Sequence, residues 1–241
     1  MIRLFRSELL KLRKSPIAPL VCVSPVIAAV IGLLSSQSGT VNPWTETLTY
    51  MATLHALLFL PLLAGVFSAF VCRYEHAGGG WKQLLALPVS RSSVFVVKFA
   101  IVLGLLAFTQ LLLVAGLLAV GTLKGFAEPV PWGIVAKSAL GGLLACMPLA
   151  ALQLAVSVAW SSFAAPLAVN VVFTLPNILV ANSETYGPYY PWAQPLLAML
   201  PPSGESFGAF LVPAGTLFTV IFVCFAVFFI TGLGYFRHKS I

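Results

Sequence analysis

Apolar residues run through this chain in long unbroken blocks, separated by short polar or Gly/Pro-containing stretches. A helix needs about 20 mostly apolar residues to cross the hydrocarbon core of a bilayer. Six blocks meet that length, at about 17–35, 48–72, 94–123, 134–160, 163–181 and 210–235. None alternates with the period of two that marks a barrel strand. The pattern predicts an all-α polytopic membrane protein with six transmembrane helices in a single transmembrane domain over 1–241.

Three segments outside the blocks have patterns of their own. In the first, residues 1–14, Ile2, Phe5, Leu9 and Leu12 recur at helical spacing while cations cover most of the remaining surface. This predicts an amphipathic interfacial helix lying in the headgroup layer with its apolar side down. The second segment lies between spans two and three and reads R-Y-E-H-A-G-G-G-W-K-Q-L-L-A-L-P-V-S-R over 73–91. Gly78, Gly79 and Gly80 predict a flexible break. A short helix then places Trp81, Leu84 and Leu85 on one face, and Pro88 ends it. Exposed apolar residues of that kind need a partner or the lipid interface, and the spacing alone fits either. The third segment, 186–202, has five prolines, many aromatics and no cation. Its apolar piece 196–200 is too short to span, which predicts a re-entrant or interfacial helix before span six. Gating and plain anchoring both fit it.

Composition removes the soluble classes. The 241 residues are 60% hydrophobic and 8% charged, with a mean hydropathy of +1.02, against roughly 25% charged in a soluble domain. The basic start followed by an apolar run resembles a signal peptide. The run is too long, however, and 35–38 offers no A-x-A site, so it reads as a retained first span. Cys22, Cys72, Cys146 and Cys224 lie in or beside apolar runs and read as free thiols.

The net charge of +7 is informative through its placement. Arg3, Arg6, Lys11, Arg13 and Lys14 precede span one. Arg73, Lys82, Arg91 and Lys98 fall between spans two and three, and Arg237 and Lys239 follow span six. These eleven of thirteen cations share one side, while Lys124, Lys137, Glu46, Glu128, Glu184 and Glu205 fall opposite. Cations concentrate on the cytoplasmic side. Both termini are therefore expected on the cytoplasmic side, and the charge is an insertion signal with no nucleic-acid partner behind it.

Candidate chemistry is sparse. The chain has no Asp, which removes Walker B magnesium ligands, phospho-aspartate and Asp-based triads, and it has no phosphate-binding loop of Walker A type. His55, His76 and His238 have no metal-ligand spacing. No nucleophile–base pair is evident, so the expectation is a chain without catalytic, cofactor-binding or metal-binding residues, and not an enzyme. No span carries a carboxylate at its middle. Lys98 and Lys137 lie near span ends, where they can snorkel. His55, Gln110, Gln153, Asn170 and Asn177 suit interhelical hydrogen bonds. Energy for uphill transport would then have to enter from another polypeptide.

These features resemble the type 2 ABC exporter permeases, and among them the lantibiotic immunity permeases. The resemblance rests on the opening R-S-E-L-L-K-L-R-K-S-P, on Glu75, on W-K-Q-L-L-A-L-P-V-S-R over 81–91, on Lys98, and on the long outward segment before span six. It implies that the loop after span two is a cytoplasmic coupling helix docking on an ATP-binding subunit. Glu75, Trp81, Leu84, Leu85, Leu87 and Pro88 would form the contact, with Lys82 and Arg91 at its edge. It also implies two copies of a separate ABC ATPase, which carries the ATP and magnesium, and a second permease as homodimer or heterodimer. A peptide substrate would be expelled from the lipid bilayer. Another cargo of the same class (a bacitracin-like antibiotic, a drug, a lipid or sodium) and a non-transporting scaffold or sensor subunit remain alternatives.

Overall fold

Apolar stretches of this length and continuity fold as helices because no water is present in hydrocarbon to satisfy free backbone groups. The computed structural model describes residues 2–13, 15, 17–39, 42–77, 79–200 and 213–239. Among them there is no strand. In chain order, α1 is Ile2–Arg13, α2 is Ile17–Leu34 and α3 is Pro43–Leu54. A π-helical stretch His55–Phe59 joins α3 to α4, Leu60–His76. After α5, Gly80–Leu85, come α6, Arg91–Leu123, and α7, Trp132–Ala159. The short α8, Ala164–Thr174, α9, Asn177–Ala181, and α10, Gln194–Met199, precede α11, Ala214–His238. Five helices are long and apolar enough to cross a membrane: α2, the continuous Pro43–His76, α6, α7 and α11. The expected start of the last span at 210 lies outside the described residues, as do Lys14, Gly78, Pro201, Pro202 and Glu205.

Helix ends follow local signals. Asn42 precedes Pro43, and its side-chain oxygen accepts from Trp44 N at 3.0 Å, so α3 starts earlier than hydropathy suggests. Ser90 caps α6 by accepting from Ser93 N at 3.1 Å. Side-chain contacts then sort the ends. Trp44 Nε1 donates to Glu128 O at 2.8 Å, and Lys124 Nζ reaches Ser35 O at 2.5 Å, which gathers the α2–α3 and α6–α7 connections at one end. At the other end, Arg91 Nη1 donates to Arg237 O at 3.1 Å, and Lys239 Nζ donates to Val158 O at 2.6 Å. α1, the end of α4, the start of α6 and the ends of α7 and α11 therefore share this second, basic end.

The predicted span 163–181 is corrected. It is not one helix but two short ones, α8 and α9, with a break at Leu175–Pro176. Pro176 has no N–H and cannot continue the ladder. The segment is instead held against α4. Asn170 Nδ2 donates to Pro61 O at 2.8 Å, and its Oδ1 accepts from Trp192 Nε1 at 2.8 Å and Gln153 Nε2 at 3.2 Å. Asn177 Nδ2 donates to Leu57 O at 2.7 Å and Trp192 O at 2.8 Å. Leu57 O is the carbonyl four residues before Pro61, so proline leaves it free and Asn177 takes it. Gly65 makes the approach possible: a Cβ there would sit 2.3 Å from Asn170 Nδ2. α7 and α11 both end at the basic end, so 164–200 carries the chain back toward the far end without a helix of spanning length.

The short α10 is buried among longer helices. Ser138 Oγ donates to Met199 O at 2.6 Å, and Gln110 Nε2 lies 3.4 Å from Met199 Sδ. At six residues it extends about 9 Å, well short of a bilayer. Within the long helices His55 is fully buried, with Nδ1 2.6 Å from Ser24 Oγ on α2. The outward surfaces of α2 and α11 are apolar, including Val26, Val30, Val223, Val227 and Ile230. Such surfaces suit lipid.

Candidate functional site at the basic end

After His76 the chain reverses within a few residues to begin α5. Gly79 takes φ +74°, the left-handed region glycine favours, and a Cβ on Gly80 would lie 2.7 Å from Tyr74 O and 2.8 Å from Glu75 Cα. Gly79 and Gly80 therefore build a tight reversal, where the composition predicted a flexible break. The reversal presses α5 onto α4. Trp81 Nε1 donates to His76 Nδ1 at 3.2 Å, and the indole lies 5.2 Å from the Phe236 ring on α11. The Lys98 ammonium sits 5.6 Å from the indole centroid.

Beneath Trp81 four charges close into a ring. Lys98 Nζ lies 2.7 Å from Glu8 Oε2 and 2.8 Å from Glu75 Oε2. Lys11 Nζ lies 2.5 Å from Glu75 Oε1 and also pairs with Glu8. Lys98 Nζ further donates to Val71 O at 2.7 Å. Glu8, Glu75 and Lys98 are buried, and Lys11 is half-buried. Two negative and two positive charges cancel, so α1, α4 and α6 are joined without net buried charge. A buried charge lacking its partner costs several kcal/mol, so the ring holds only as a set. Burial would lower the Lys11 pKa, but the hydrogen bonds it donates to Glu75 and Glu8, with the charges of those carboxylates, outweigh it and raise the value above the usual lysine range.

A second lock lies at the end of α11. Arg91 Nη1 donates to Phe236 O at 3.4 Å, Arg237 O at 3.1 Å and Lys239 O at 2.5 Å. Arg237 Nε donates to Ser92 Oγ at 2.7 Å. The guanidinium thus satisfies carbonyls that the end of a helix leaves without partners.

The expected docking residues divide between two faces. Glu75 is in the charge ring, and Trp81 and Leu84 are buried against this same chain. Leu85 and Arg91 are half-buried, while Lys82, Leu87 and Pro88 are exposed together with Gln83 and Ala86. The apolar face expected to stand free is therefore turned inward, because Gly79 and Gly80 fold it onto α4 and α11. Two further expectations change. Lys98 does not snorkel but is fully buried in the ring, drawn in by two carboxylates. On α1, Leu4, Glu8 and Leu12 face the protein, while Ile2, Phe5 and Leu9 are exposed, so Leu12 leaves the face predicted for it.

Glu8, Lys11 and Lys98 were missed as a cluster. A signal existed in the charge map: Glu8 and Glu75 are the two acids that remain on the cation-rich side. Which lysines they would choose depended on the packing.

No curated protein matches the sequence. A family model described as "ABC-2 family transporter protein" matches residues 4–177, from α1 to the start of α9, and so covers both glutamates of the ring, α5 and the polar contacts of α8. The chain belongs to the ABC-2 family of transporter proteins, as a membrane permease of an ABC transporter.

Proposed function

We propose that this permease expels lantibiotic or related antimicrobial peptides from the bacterial cytoplasmic membrane and thereby protects the cell. The observation that carries the coupling part of this reading is the clamping of α5. On one side Trp81 holds to His76 of α4 and Phe236 of α11 and Leu84 is buried, and the other side presents Lys82, Gln83, Leu87 and Pro88 outward. A helix free on one side and rigidly held on the other transmits a push from a docked subunit into the bundle. Separate ATPase subunits, two per complex, dock there and carry ATP and magnesium, while this chain contributes no nucleotide or catalytic site. It works as a homodimer or with a second permease. The peptide cargo is supported by the likeness of 6–16 and 81–91 to lantibiotic immunity permeases.

Purification from native membranes tests the partner, and an ABC ATPase is expected to come down with the chain. Absence of any ATPase would sink the coupling assignment. Antimicrobial profiles of a deletion strain test the cargo. Selective sensitivity to lantibiotics is expected, while sensitivity confined to bacitracin-like antibiotics or other drugs would replace the peptide with that cargo. Failure of substrate to stimulate ATP hydrolysis in a reconstituted complex would favour a sensor or scaffold role.

A further inference from the structure

A small open pocket lies beside the charge ring and outside it. Its cavity of about 40 Å³ is bounded by the last turns of α4 and α7, the 160–163 turn and the start of α8. That volume holds about three water-sized groups.

Three of its polar groups have no hydrogen-bond partner among the described residues, and one of them, Ser157, is buried. Arg73 lies over the Phe70 and Phe163 rings, 5.9 and 5.7 Å from their centroids, which orients its guanidinium without using its N–H groups. Among the described residues it has no carboxylate partner, because Glu8 and Glu75 are taken by Lys11 and Lys98. Ser157 is 2% exposed, and its hydroxyl has no hydrogen-bond partner among the described residues. The exposed Ser161 adds a second free hydroxyl at the mouth. Ser162 Oγ accepts from Ala165 N at 3.4 Å and so marks the N-terminal turn of α8, whose dipole favours an anion. Lys239, bonded to Val158 O and Ala159 O, adds positive charge at the same end of α7.

We propose that this pocket binds a phosphate group, held by the Arg73 fork and the hydroxyls of Ser157 and Ser161 at the start of α8. A guanidinium, hydroxyl donors and a helix N-terminus together match the oxygens and charge of a phosphate ester. The pocket lies at the ends of two spanning helices on the cation-rich end, the level at which phospholipid headgroups meet such a chain. One wall is His76, whose Nδ1 accepts from Trp81 and whose Nε2–H therefore donates to Ser157 O at 2.7 Å. Phosphate occupancy is thus one residue removed from α5.

The test is native mass spectrometry of the purified permease complex, titrated with phosphatidylglycerol or phosphatidylcholine, with and without millimolar inorganic phosphate. Arg73→Gln and Ser161→Ala, both at exposed positions, are compared with the wild type after matching their melting temperatures. Wild type is expected to retain phosphatidylglycerol at about tenfold lower lipid concentration than Arg73→Gln, with Ser161→Ala between them. Phosphatidylcholine, whose choline cation offsets the charge of the same phosphate, is expected to bind the wild type more weakly than phosphatidylglycerol does. Retention that inorganic phosphate does not displace identifies the lipid headgroup as occupant. Displacement by phosphate in wild type identifies a soluble phosphate or its ester, with the phosphate chemistry upheld. Equal phosphatidylglycerol retention by wild type, Arg73→Gln and Ser161→Ala would overturn the proposal.

Discussion

Lys98 shows how one residue can hold three elements. Its ammonium serves two carboxylates and a carbonyl in a buried setting. Lys98→Met leaves Glu8 and Glu75 facing each other with only Lys11 between them. Removing one partner of a buried ion set costs about 3–5 kcal/mol. Thermal unfolding in detergent should show a large fall in melting temperature, and a change of under a degree would refute the role assigned to the ring. Asn177→Ala leaves Leu57 O without a donor in an apolar setting, at a cost of about 1–3 kcal/mol. The same melting experiment should rank it below Lys98→Met. Lys11 adds a pH dependence. Its folded-state pKa is raised above the ordinary 10.5 by the two glutamates. Its stabilisation is therefore complete below 10.5 and is lost as pH rises through the higher folded value. Melting temperatures measured from pH 9 to 12 should fall less for Lys11→Met than for the wild type, and parallel curves would contradict this.

At the scale of the element, the docking role proposed for α5 can be tested apart from its folding. Leu87 is on the outward side, so Leu87→Glu should leave the melting temperature close to that of wild type while ATPase copurification drops severalfold. Trp81→Ala removes the indole from His76, Phe236 and Lys98 and should lower both, because truncating a buried tryptophan costs about 3–5 kcal/mol. An unchanged ATPase yield with Leu87→Glu would move the docking site off this face. The paired α8 and α9 teach a related lesson. Hydropathy reports which residues tolerate lipid, and 163–181 does. It does not report continuity, and Pro176, Asn170 and Asn177 break the segment so that its polar groups satisfy α4.

For the whole molecule, the placement of α1 and the end of α11 at one end makes a topological claim. The end of α11, the Arg91 lock and the charge ring share a side, while Lys124 and Glu128 lie opposite. Single cysteines placed at Lys82 and Lys239 should react alike with a membrane-impermeant maleimide, and one at Lys124 should react from the other side only. Labelling of positions 82 and 239 from opposite sides would refute the arrangement.

Several levels of this protein were already determined by the linear chain. Unbroken apolar runs require helices because hydrocarbon offers no alternative partner for the backbone, and segregated lysine and arginine divide the two ends. Four of the five long helices begin and end within a few residues of their hydropathy limits. The second instead starts early, under the Asn42–Pro43 cap, and runs on to His76. The short helix after span two was also legible, through the spacing of Trp81 and Leu84 and the stop at Pro88. Tertiary structure alone decided which way that helix faced. Periodicity defines an apolar face but not what covers it, and a glycine reversal tight enough to close on Glu75 turned it inward. Tertiary structure likewise decided the pairing of Glu8 and Glu75 with Lys11 and Lys98. Pairing energy depends on distance and burial, and residues 64 and 90 positions apart acquire both only when α1, α4 and α6 converge.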